Sequence, residues 1–396
     1  MTIAEPRLAY RADDAIRDAL LDSRAAWAER VVTLSGEIHG HPELAFAEHR
    51  AAAGIADALR AEGFTVQVGA FELDTAVDAA YGDGDLTVAI CAEYDALPGI
   101  GHACGHNVIA AAGVGAAIAL AGVADALGLR VRLLGTPAEE HGGGKIRMLD
   151  AGAWDGVDFS LMVHAGPGRD LRCADVRTQA VARFDVSFRG LPGHAGAPSP
   201  EGVNAANAAT IGLVALGLLR QHLPDGVRTN AFVADGGEAT NIIPSSTLVR
   251  AEVRADTLEA VEGVRRRVLA CFEGGATATG CSMSWQDAEP TYADVVQNPV
   301  LARAWDSNLA ALGRSPQPYS GSPGGSTDMG NVSRVVPSIH PLIAIQECSS
   351  APHTPAFADD AIGPAAERAA VDGALALALT AADAAAFLRA GRSLRG

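Results

Sequence analysis

The sequence predicts an α/β fold in which a mostly parallel sheet carries helices on both faces and a smaller ferredoxin-like (βαββαβ) domain is inserted. Two observations lead to this expectation. Short apolar segments rich in β-branched residues alternate with helical segments in the first and last parts of the chain, a rhythm typical of parallel sheets. The middle of the chain has the predicted order β-α-β-β-α-β, which is that of the ferredoxin-like unit. A length of 396 residues is sufficient for two domains.

The outer parts of the chain supply the parallel sheet. Residues 14–62 repeat apolar side chains at intervals of three and four, which predicts two helices. Between them lie His39 and His41, for which the adjacent Pro42 and the helical context favour a capping or packing role over metal ligation. The strand candidates are Leu86–Cys91, Arg130–Gly135, Phe159–Val163 and Pro341–Gln346, and an Ala-rich helix is expected at Val108–Leu127.

The middle of the chain predicts the inserted domain. Ala182–Arg189 alternates apolar and polar side chains with a period of two, as a half-buried strand does. The remaining candidates are the helices Asn204–Leu223 and Thr257–Phe272 and the strands Thr229–Ala234, Leu248–Ala255 and Ser282–Gln286. We therefore expect one domain from residues 1–180 and 296–396, and an inserted domain from residues 181–295.

Composition limits the kind of protein that this sequence encodes. A hydrophobic content of 48% indicates a well-buried globular protein, and the six cysteines lack the spacing of a disulfide framework. No long apolar run is free of charge or glycine, and residues 1–30 lack the form of a signal peptide. We expect a cytoplasmic protein. The formal net charge of −17 argues against nucleic acid and anionic membranes as partners.

The stretch GIGHACGHN, Gly99–Asn107, is the most informative segment of the chain. Its glycines favour a loop, in which Cys104 and His106 fall on the same side of the backbone. A thiolate and an imidazole that converge on one point suit zinc or manganese. The alternative is a buried cysteine and a hydrogen-bonded histidine in a glycine-rich turn, and the local sequence does not decide between the two.

Side chains that can bind a metal ion follow each of the four strand candidates in the outer parts of the chain. In open α/β sheets, ligands bind beyond the carboxyl ends of the strands. The four loops are therefore expected to meet at one edge of one sheet, which favours the metal site. The side chains in question are Cys104 and His106, Glu139 and Glu140, His164, and His353.

The number of candidate ligands indicates two metal ions. Cys104, His106, Glu140, His164 and His353 exceed the three or four protein groups that one zinc takes. Two divalent ions sharing a bridging hydroxide would polarise a carbonyl and supply a nucleophile; zinc, manganese and cobalt all suit such ligands.

The sequence also offers candidates for a general base and for hydrogen-bond donors that would stabilise an oxyanion. The side chains of the adjacent residues Glu139 and Glu140 diverge, so one can bind a metal while the other faces the substrate as a general base, the alternative being an acidic helix start for both. His194, in the loop Gly190–Pro198, and Asn241 are candidate donors to an oxyanion. The alternative for His194 is an ordinary surface turn.

Six stretches of the chain, in this order, resemble the metallopeptidase/amidohydrolase family that holds aminoacylases, glutamate carboxypeptidase and plant auxin-conjugate hydrolases (peptidase family M20). They are HPELAF, EYDALPGIGHACGHN, GTPAEEHGGGK, GLPGHAGAP, GGEATNIIP and GSTDMGN. The resemblance spans nearly the whole chain. The branch that the chain resembles most has two members of note. One is peptidase M20 domain-containing protein 2, a dipeptidase that acts on β-alanyl-lysine-type dipeptides, and the other is the B subunit of aminobenzoyl-glutamate hydrolase.

The resemblance implies a fold, an activity and a role for each residue. The fold is a catalytic α/β domain with an inserted ferredoxin-like lid through which two chains form a homodimer. The activity is hydrolysis of an amide bond in small dipeptides or N-acyl and N-aroyl amino acids. Glu139 matches the general base, His194 a lid histidine that stabilises the oxyanion in the partner protomer's active site, and Asn241 a lid asparagine near the polar end of the substrate. The metal ligands implied are Cys104, His106, Glu140, His164 and His353.

Departures from the family pattern leave some residues and two other function classes open. Glu93-Tyr94-Asp95 stands where many relatives have His-x-Asp, so Cys104 and His106 are expected to substitute for that histidine. Asp95 is expected beside the ligands, and Glu93 has no assigned role. Asp328 either serves the substrate or caps a turn. The other function classes are a metal-free hydrolase with Cys104 as nucleophile and a non-catalytic relative that binds a small molecule or a partner.

Overall fold

The computed structural model describes residues 10–395, which form two compact units. The main unit contains residues up to 177, together with 295–324 and those from 328 onward; the inserted unit contains Thr178–Asp294 and Gly325–Thr327. The inserted unit thus begins and ends within a few residues of the predicted boundaries and adds a short segment that the sequence pattern did not assign to it.

Strands and helices alternate along the described chain. The strands are β1 Thr65–Val68, β2 Val77–Tyr81, β3 Leu86–Glu93, β4 Leu129–Thr136, β5 Phe159–Leu161, β6 His164–Gly168, β7 Ala180–Arg189, β8 Arg228–Asp235, β9 Ser246–Ala255, β10 Ser282–Asp287, β11 Ser338–Ile339 and β12 Leu342–Gln346. The α-helices are α1 Asp14–Gly40, α2 His49–Arg60, α3 His106–Ala121, α4 Ala124–Leu127, α5 Gly144–Asp150, α6 Ala205–Leu219, α7 Leu258–Thr279, α8 Pro299–Ala311, α9 Met329–Ser333, α10 Pro355–Asp360 and α11 Pro364–Arg389.

The main unit contains the mostly parallel sheet that the sequence predicts. Its strand order is β1-β2-β4-β3-β5-β11, with β4, β3, β5 and β11 parallel and the β1–β2 pair antiparallel at one edge. The centre of β3, from Val88 to Cys91, is fully buried because helices cover both faces of the sheet. This burial explains why the strand is a continuous apolar run.

The expectation of one sheet for all four predicted strands was wrong. β12 pairs in parallel with β6 in a separate two-stranded sheet, in which Leu342 lies opposite His164. The sheet position next to β5 is taken instead by β11, Ser338–Ile339. An apolar run identifies a buried strand but not its neighbour, and two residues are too few to show a pattern.

Helices α1, α3 and α11 pack around the sheet in the main core. All residues of α3 from His106 to Leu120 are buried, so this helix carries its first residue on a rigid support. Helix α11 is long and apolar enough to cross a membrane by length and composition, yet 78% of its most apolar window is buried inside the protein. Its packing against α3 is that of a core helix, with Leu375, Leu377 and Leu379 fully or almost fully buried.

The inserted unit has the predicted β-α-β-β-α-β order. Its four strands form an antiparallel sheet in the order β10-β7-β9-β8, and α6 and α7 pack together against it. The period of two in β7 buries Phe184, Val186 and Phe188, which pack with Phe272 of α7 in a separate core cluster. Each unit therefore has a hydrophobic core of its own.

Candidate metal centre

A glycine between the two leading ligands shapes the loop that carries them. Gly105 has a φ of 76°, in the left-handed region, and a Cβ added there would lie 2.9 Å from the Cβ of Ala165. Glycine is therefore required on both conformational and steric grounds. The turn at Gly105 leaves Cys104 in the loop and makes His106 the first residue of the buried helix α3.

The structure brings the five predicted ligands together in two overlapping groups, and a third group, made of Glu93, His106 and Glu139, shares His106 with the first. In each group the candidate ligand atoms lie within 4.8 Å of one another, and Cys104 belongs to the first two. The sulfur of Cys104 is 3.6 Å from Nε2 of His164. Nε2 of His353 is 3.4 Å from Oε1 of Glu140. The first two groups are Cys104, His106 and His164, and Cys104, Glu140 and His353.

Asp95 orients two of these ligands. Its Oδ1 is 2.9 Å from Nδ1 of His106, and its Oδ2 accepts a hydrogen bond of 3.0 Å from the backbone N–H of Glu140. A carboxylate at Nδ1 leaves Nε2 of the imidazole as the metal-binding atom. That nitrogen faces Glu93, Glu139 and Glu140 at 3.6, 3.8 and 3.9 Å. Asp95 therefore lies beside the ligands, as expected.

The residues present fit divalent metal ions. Among the buried side-chain atoms of the described chain that have no hydrogen-bond partner are Oε2 of Glu93, Nε2 of His106 and Oε1 of Glu140. Buried polar atoms without partners are costly, and these all belong to one cluster. Thiol, imidazole and carboxylate groups converging at such atoms form the donor set of a transition-metal site.

Glu139 lies at the edge of this cluster, in an environment that favours its protonated form. It is buried, and its Oε2 is 3.8 Å from Nε2 of His106. Burial, followed by the negative charges of Glu93 and Glu140, raises the pKa of the Glu139 carboxyl well above its ordinary value. A raised pKa of this kind is typical of carboxyl groups that carry a proton during catalysis.

Sequence reasoning missed a buried triad of charged side chains next to the candidate ligands. Nζ of Lys145 is 2.5 Å from Oε1 of Glu93 and 2.7 Å from Oδ1 of Asp328, and all three side chains are inaccessible to solvent. Although burial raises the pKa of Glu93, the positive charges of Lys145 and then of His106, His164 and His340 together outweigh it and hold that pKa at about 2. A signal was available, because Lys145 is the only lysine in a chain whose other basic residues are all arginine.

The triad gives Asp328 a role other than the two considered from the sequence. This residue stands at the N-cap position of α9, but its side chain makes no capping hydrogen bond. Its carboxylate accepts instead from Nζ and from the backbone N–H of Lys145, the latter at 2.8 Å. Of the two alternatives left open for Asp328, the turn cap is therefore wrong, and its side chain is instead part of the buried triad.

His39 and His41 have the structural role that the sequence favoured. Nε2 of His39 is 2.8 Å from the carbonyl oxygen of Ala358, and Nδ1 of His41 is 2.9 Å from that of Glu37. Neither belongs to a group of candidate ligands in the described chain.

His194 and Asn241 lie next to each other in the inserted unit. The backbone N–H of Ala195 donates to the carbonyl oxygen of Asn241 at 3.0 Å, and both predicted side chains are on exposed residues. Nδ1 of His194 accepts a hydrogen bond of 3.0 Å from the backbone N–H of Gly196. The neutral ring therefore carries its proton on Nε2, which is the tautomer that a hydrogen-bond donor to an anion needs.

The family model described as Peptidase family M20/M25/M40 matches residues 89–370 of the chain. This chain belongs to that family. The Xaa-Arg dipeptidase of Mus musculus is 37% identical to this family member over 374 residues, which cover 90% of this chain and 86% of that protein. One of the subunits of the p-aminobenzoyl-glutamate hydrolase of Escherichia coli (strain K12) is 31% identical over 278 residues, covering 65% of this chain and 57% of that protein.

Solved structures of the same fold complete the comparison. A putative aminohydrolase from methicillin-resistant Staphylococcus aureus superposes with a TM-score of 0.78 at 21% identity, covering 93% of this chain and 99% of that one. A Bacillus subtilis protein described as a dinuclear metal-binding peptidase of this family has a TM-score of 0.65 at 24% identity, covering 93% and 98%. The resemblance stated from the sequence motifs is confirmed, and the chain is a hydrolase of a metallopeptidase family.

Proposed function

We propose that this enzyme hydrolyses the amide bond of small dipeptides or N-acyl and N-aroyl amino acids with the help of two divalent metal ions. The observation that carries the proposal is the pair of ligand groups that share Cys104, with Glu139 beside them. Cys104, His106 and His164 would hold one ion, and Cys104, Glu140 and His353 the other. The ions supply Lewis-acid chemistry, which polarises a carbonyl and makes water more acidic. Zinc, manganese and cobalt suit this donor set.

Glu139 moves the proton in the proposed reaction. Its carboxylate takes a proton from the attacking water and then delivers it to the nitrogen of the leaving amine. The raised pKa that follows from burial and from the charges of Glu93 and Glu140 supports the second step, because it favours the form of Glu139 that carries the proton. In the inserted unit, Nε2–H of His194 is the proposed donor to the oxyanion, and Asn241 the proposed contact for the polar end of the substrate.

The substrate class follows from what the relatives' names have in common. An Xaa-Arg dipeptide and a p-aminobenzoyl-glutamate both place an amide bond next to an amino acid with a free α-carboxylate. A panel of Xaa-Arg dipeptides, β-alanyl-lysine, p-aminobenzoyl-glutamate and N-acetyl amino acids is the direct screen. We expect turnover of at least one member after reconstitution with metal, and the absence of any turnover would favour a non-catalytic relative.

We further propose a cytoplasmic homodimer that forms through the inserted unit. Strand β8 lies at the edge of its sheet, and Phe232 on it is 53% exposed. Helix α6, which contacts the same strand, exposes Val214 and Leu218. An apolar helix face next to a free strand edge is typical of an interface. Sedimentation of the purified chain tests the assembly, and a monomer at micromolar concentration would contradict it. The free state of the six cysteines supports the cytoplasm.

The experiment that tests the mechanism is Glu139→Gln, with Glu29→Gln on the exposed side of α1 as the control. General acid–base catalysis contributes about 10²–10⁴-fold, so we expect kcat to fall by that factor in Glu139→Gln while metal content is retained. Turnover near that of the wild type with metal bound would refute the assignment of the base.

A parallel experiment separates the metal mechanism from a cysteine nucleophile. Burial and the charge of Glu140 raise the pKa of the Cys104 thiol, so in the absence of a metal it stays protonated and is a poor nucleophile. Dialysis against a chelator is expected to abolish activity, and added zinc or manganese to restore it. Full activity in protein shown to be free of metal would support the nucleophile instead.

A further inference from the structure

The segment that carries Glu139 has a strained backbone. Ala138, the residue before the proposed base, is fully buried and has a φ of 59°. Residues with a Cβ rarely adopt this left-handed conformation, and it persists only where the surroundings impose it. The direction in which Glu139 leaves the backbone depends in part on the conformation of Ala138, so whatever holds Ala138 helps to aim the Glu139 carboxyl group.

A buried carboxylate outside the metal centre holds Ala138 in place. Oε1 of Glu48 accepts a hydrogen bond of 2.8 Å from the backbone N–H of Ala138. Glu48 is fully buried at the start of α2, and its Oε2 accepts a bond of 2.8 Å from the hydroxyl of Thr75. Hydrogen bonds from uncharged donors to a carboxylate are stronger than those between neutral groups, so Ala138 is held firmly.

The support is symmetrical about the proposed base. The backbone N–H of Glu140, on the other side of Glu139, donates to Asp95 at 3.0 Å. Tyr94, the neighbour of Asp95, donates its hydroxyl to the carbonyl oxygen of Thr75 at 2.6 Å, which links the two supports. The backbone N–H groups of the two residues that flank Glu139 thus each donate a hydrogen bond to a buried carboxylate. Asp95 also contacts the ligand His106, whereas Glu48 belongs to none of the groups of candidate ligands.

We propose that Glu48 is a positioning residue that aims Glu139 at the reacting atoms by holding the left-handed backbone of Ala138. This inference rests on the proposed role of Glu139 as the base. Without Glu48, the N–H of Ala138 loses its partner, Ala138 relaxes from its strained conformation, and the Glu139 carboxyl group moves away from its working position. A displacement of about 1 Å in a reacting group costs on the order of 10²-fold in rate.

The test compares variants that remove one or the other of the two Glu48 bonds. Glu48→Ala is expected to lower kcat by about 10²-fold, with KM and metal content near those of the wild type. Glu48→Gln keeps an oxygen acceptor for Ala138 and is expected to recover most of kcat. Thr75→Val is the matched control: it removes the bond to Oε2 and leaves the bond to Ala138, so its kcat is expected to stay within a few-fold of the wild type.

Three outcomes would overturn the proposal. They are a kcat for Glu48→Ala equal to that of the wild type, an equal loss in Thr75→Val, and a loss of kcat that follows loss of bound metal. If Glu48→Ala does not fold, Glu48→Asp serves instead, because the shorter side chain keeps the charge but weakens the reach to Ala138. We then expect a fall in kcat at unchanged metal content, and a wild-type kcat would again overturn the proposal.

A double variant separates this inference from the proposed function. If Glu48 acts through Glu139, adding Glu48→Ala to Glu139→Gln lowers kcat no further, because the group that it positions is already gone. An additional loss in the double variant would contradict the positioning role. Wild-type turnover in Glu139→Gln alone would instead remove the proposed base, and with it the reason for Glu48 to be held there.

Discussion

The main unit and the inserted unit treat charged side chains in opposite ways. In the described chain, the charged residues that are buried all belong to the main unit, where many are tied into pairs such as Arg17 with Asp383 and Arg314 with Asp170, each at 3.0 Å. The buried polar residues of the inserted unit are threonines, Thr247 and Thr327. Both units expose some large apolar side chains, but the smaller inserted unit exposes more of them, and its Leu218 has the largest exposed fraction in the described chain, 71%.

This contrast indicates that the two units have different roles, with the candidate metal centre in the main unit and an apolar contact surface on the inserted unit. Burying a charge costs free energy unless it is paired or serves a ligand, and the main unit offsets that cost with ion pairs as well as with the candidate metal centre. Exposed apolar surface is costly as well unless a partner covers it, and the inserted unit concentrates that cost on α6 and β8. The predictions below test this contrast from the largest expected effect to the smallest.

Cys104→Ala should have the largest effect on the metal centre. Because Cys104 belongs to both groups of ligands, its loss is expected to weaken both ions together, by more than the ~10–100-fold that loss of an outer partner of a ligand costs. Elemental analysis after dialysis, with activity measured on the same samples, checks this. Cys281→Ala, in the inserted unit, is the control and should retain its metal. Loss of one ion with retention of the other would show that Cys104 is not shared.

Lys145→Met should destabilise the main unit. Its removal leaves Glu93 and Asp328 as buried charges without a partner, and breaking a buried ion pair in this way costs about 3–5 kcal/mol. Urea denaturation of the metal-free protein measures the free energy of unfolding. The triple variant with Glu93→Gln and Asp328→Asn should recover part of the loss. A single variant as stable as the wild type would mean that the triad is not the closed, buried group described above.

Leu218→Glu should act on assembly and leave the fold of the unit intact. The side chain is exposed on α6, so the free energy of unfolding of the monomer is expected to change by no more than about 0.5 kcal/mol. Sedimentation should show loss of the dimer, which Val335→Glu, at an exposed apolar residue of the main unit, should retain. The activity of the monomer then tests whether His194 acts in the active site of the partner protomer. A monomer with full turnover would contradict that role.

Glu252→Gln should have the smallest effect, which appears in how the free energy of unfolding changes with pH in the acid range. Burial raises the pKa of Glu252, but hydrogen bonds from Arg254 and Arg183, both at 2.7 Å, outweigh it and hold that pKa below the ordinary 4.5. The stabilisation is therefore complete above pH 4.5 and is lost as the pH falls through the lower pKa of the folded state. In urea titrations, wild type and variant should differ by less than about 1 kcal/mol above pH 4.5 and converge in acid. A constant difference across this range would contradict the assignment.

Sequence patterns predicted the strands of the fold well where the strands are long. The period of two in β7 and the apolar runs of β3 and β4 were each identified, because their burial imposes the pattern. The edge strand β1 and its neighbour β2 were not, since burial there is partial and the pattern is weak. The sheet to which β12 belongs was predicted wrongly, because pairing depends on contacts between segments that are far apart in the chain.

Residue types and spacing alone determined the chemistry of this protein: a Cys-Gly-His turn, a Glu-Glu pair and two later histidines carry metal-binding and proton-accepting groups wherever they lie. Only the tertiary structure decided which groups meet. It joined Lys145 to Glu93 and Asp328 across the chain, and it placed Glu48 under Ala138, 90 residues away. The physical reason is that a pattern records whether a side chain is buried, whereas a hydrogen bond or an ion pair requires the position of its partner.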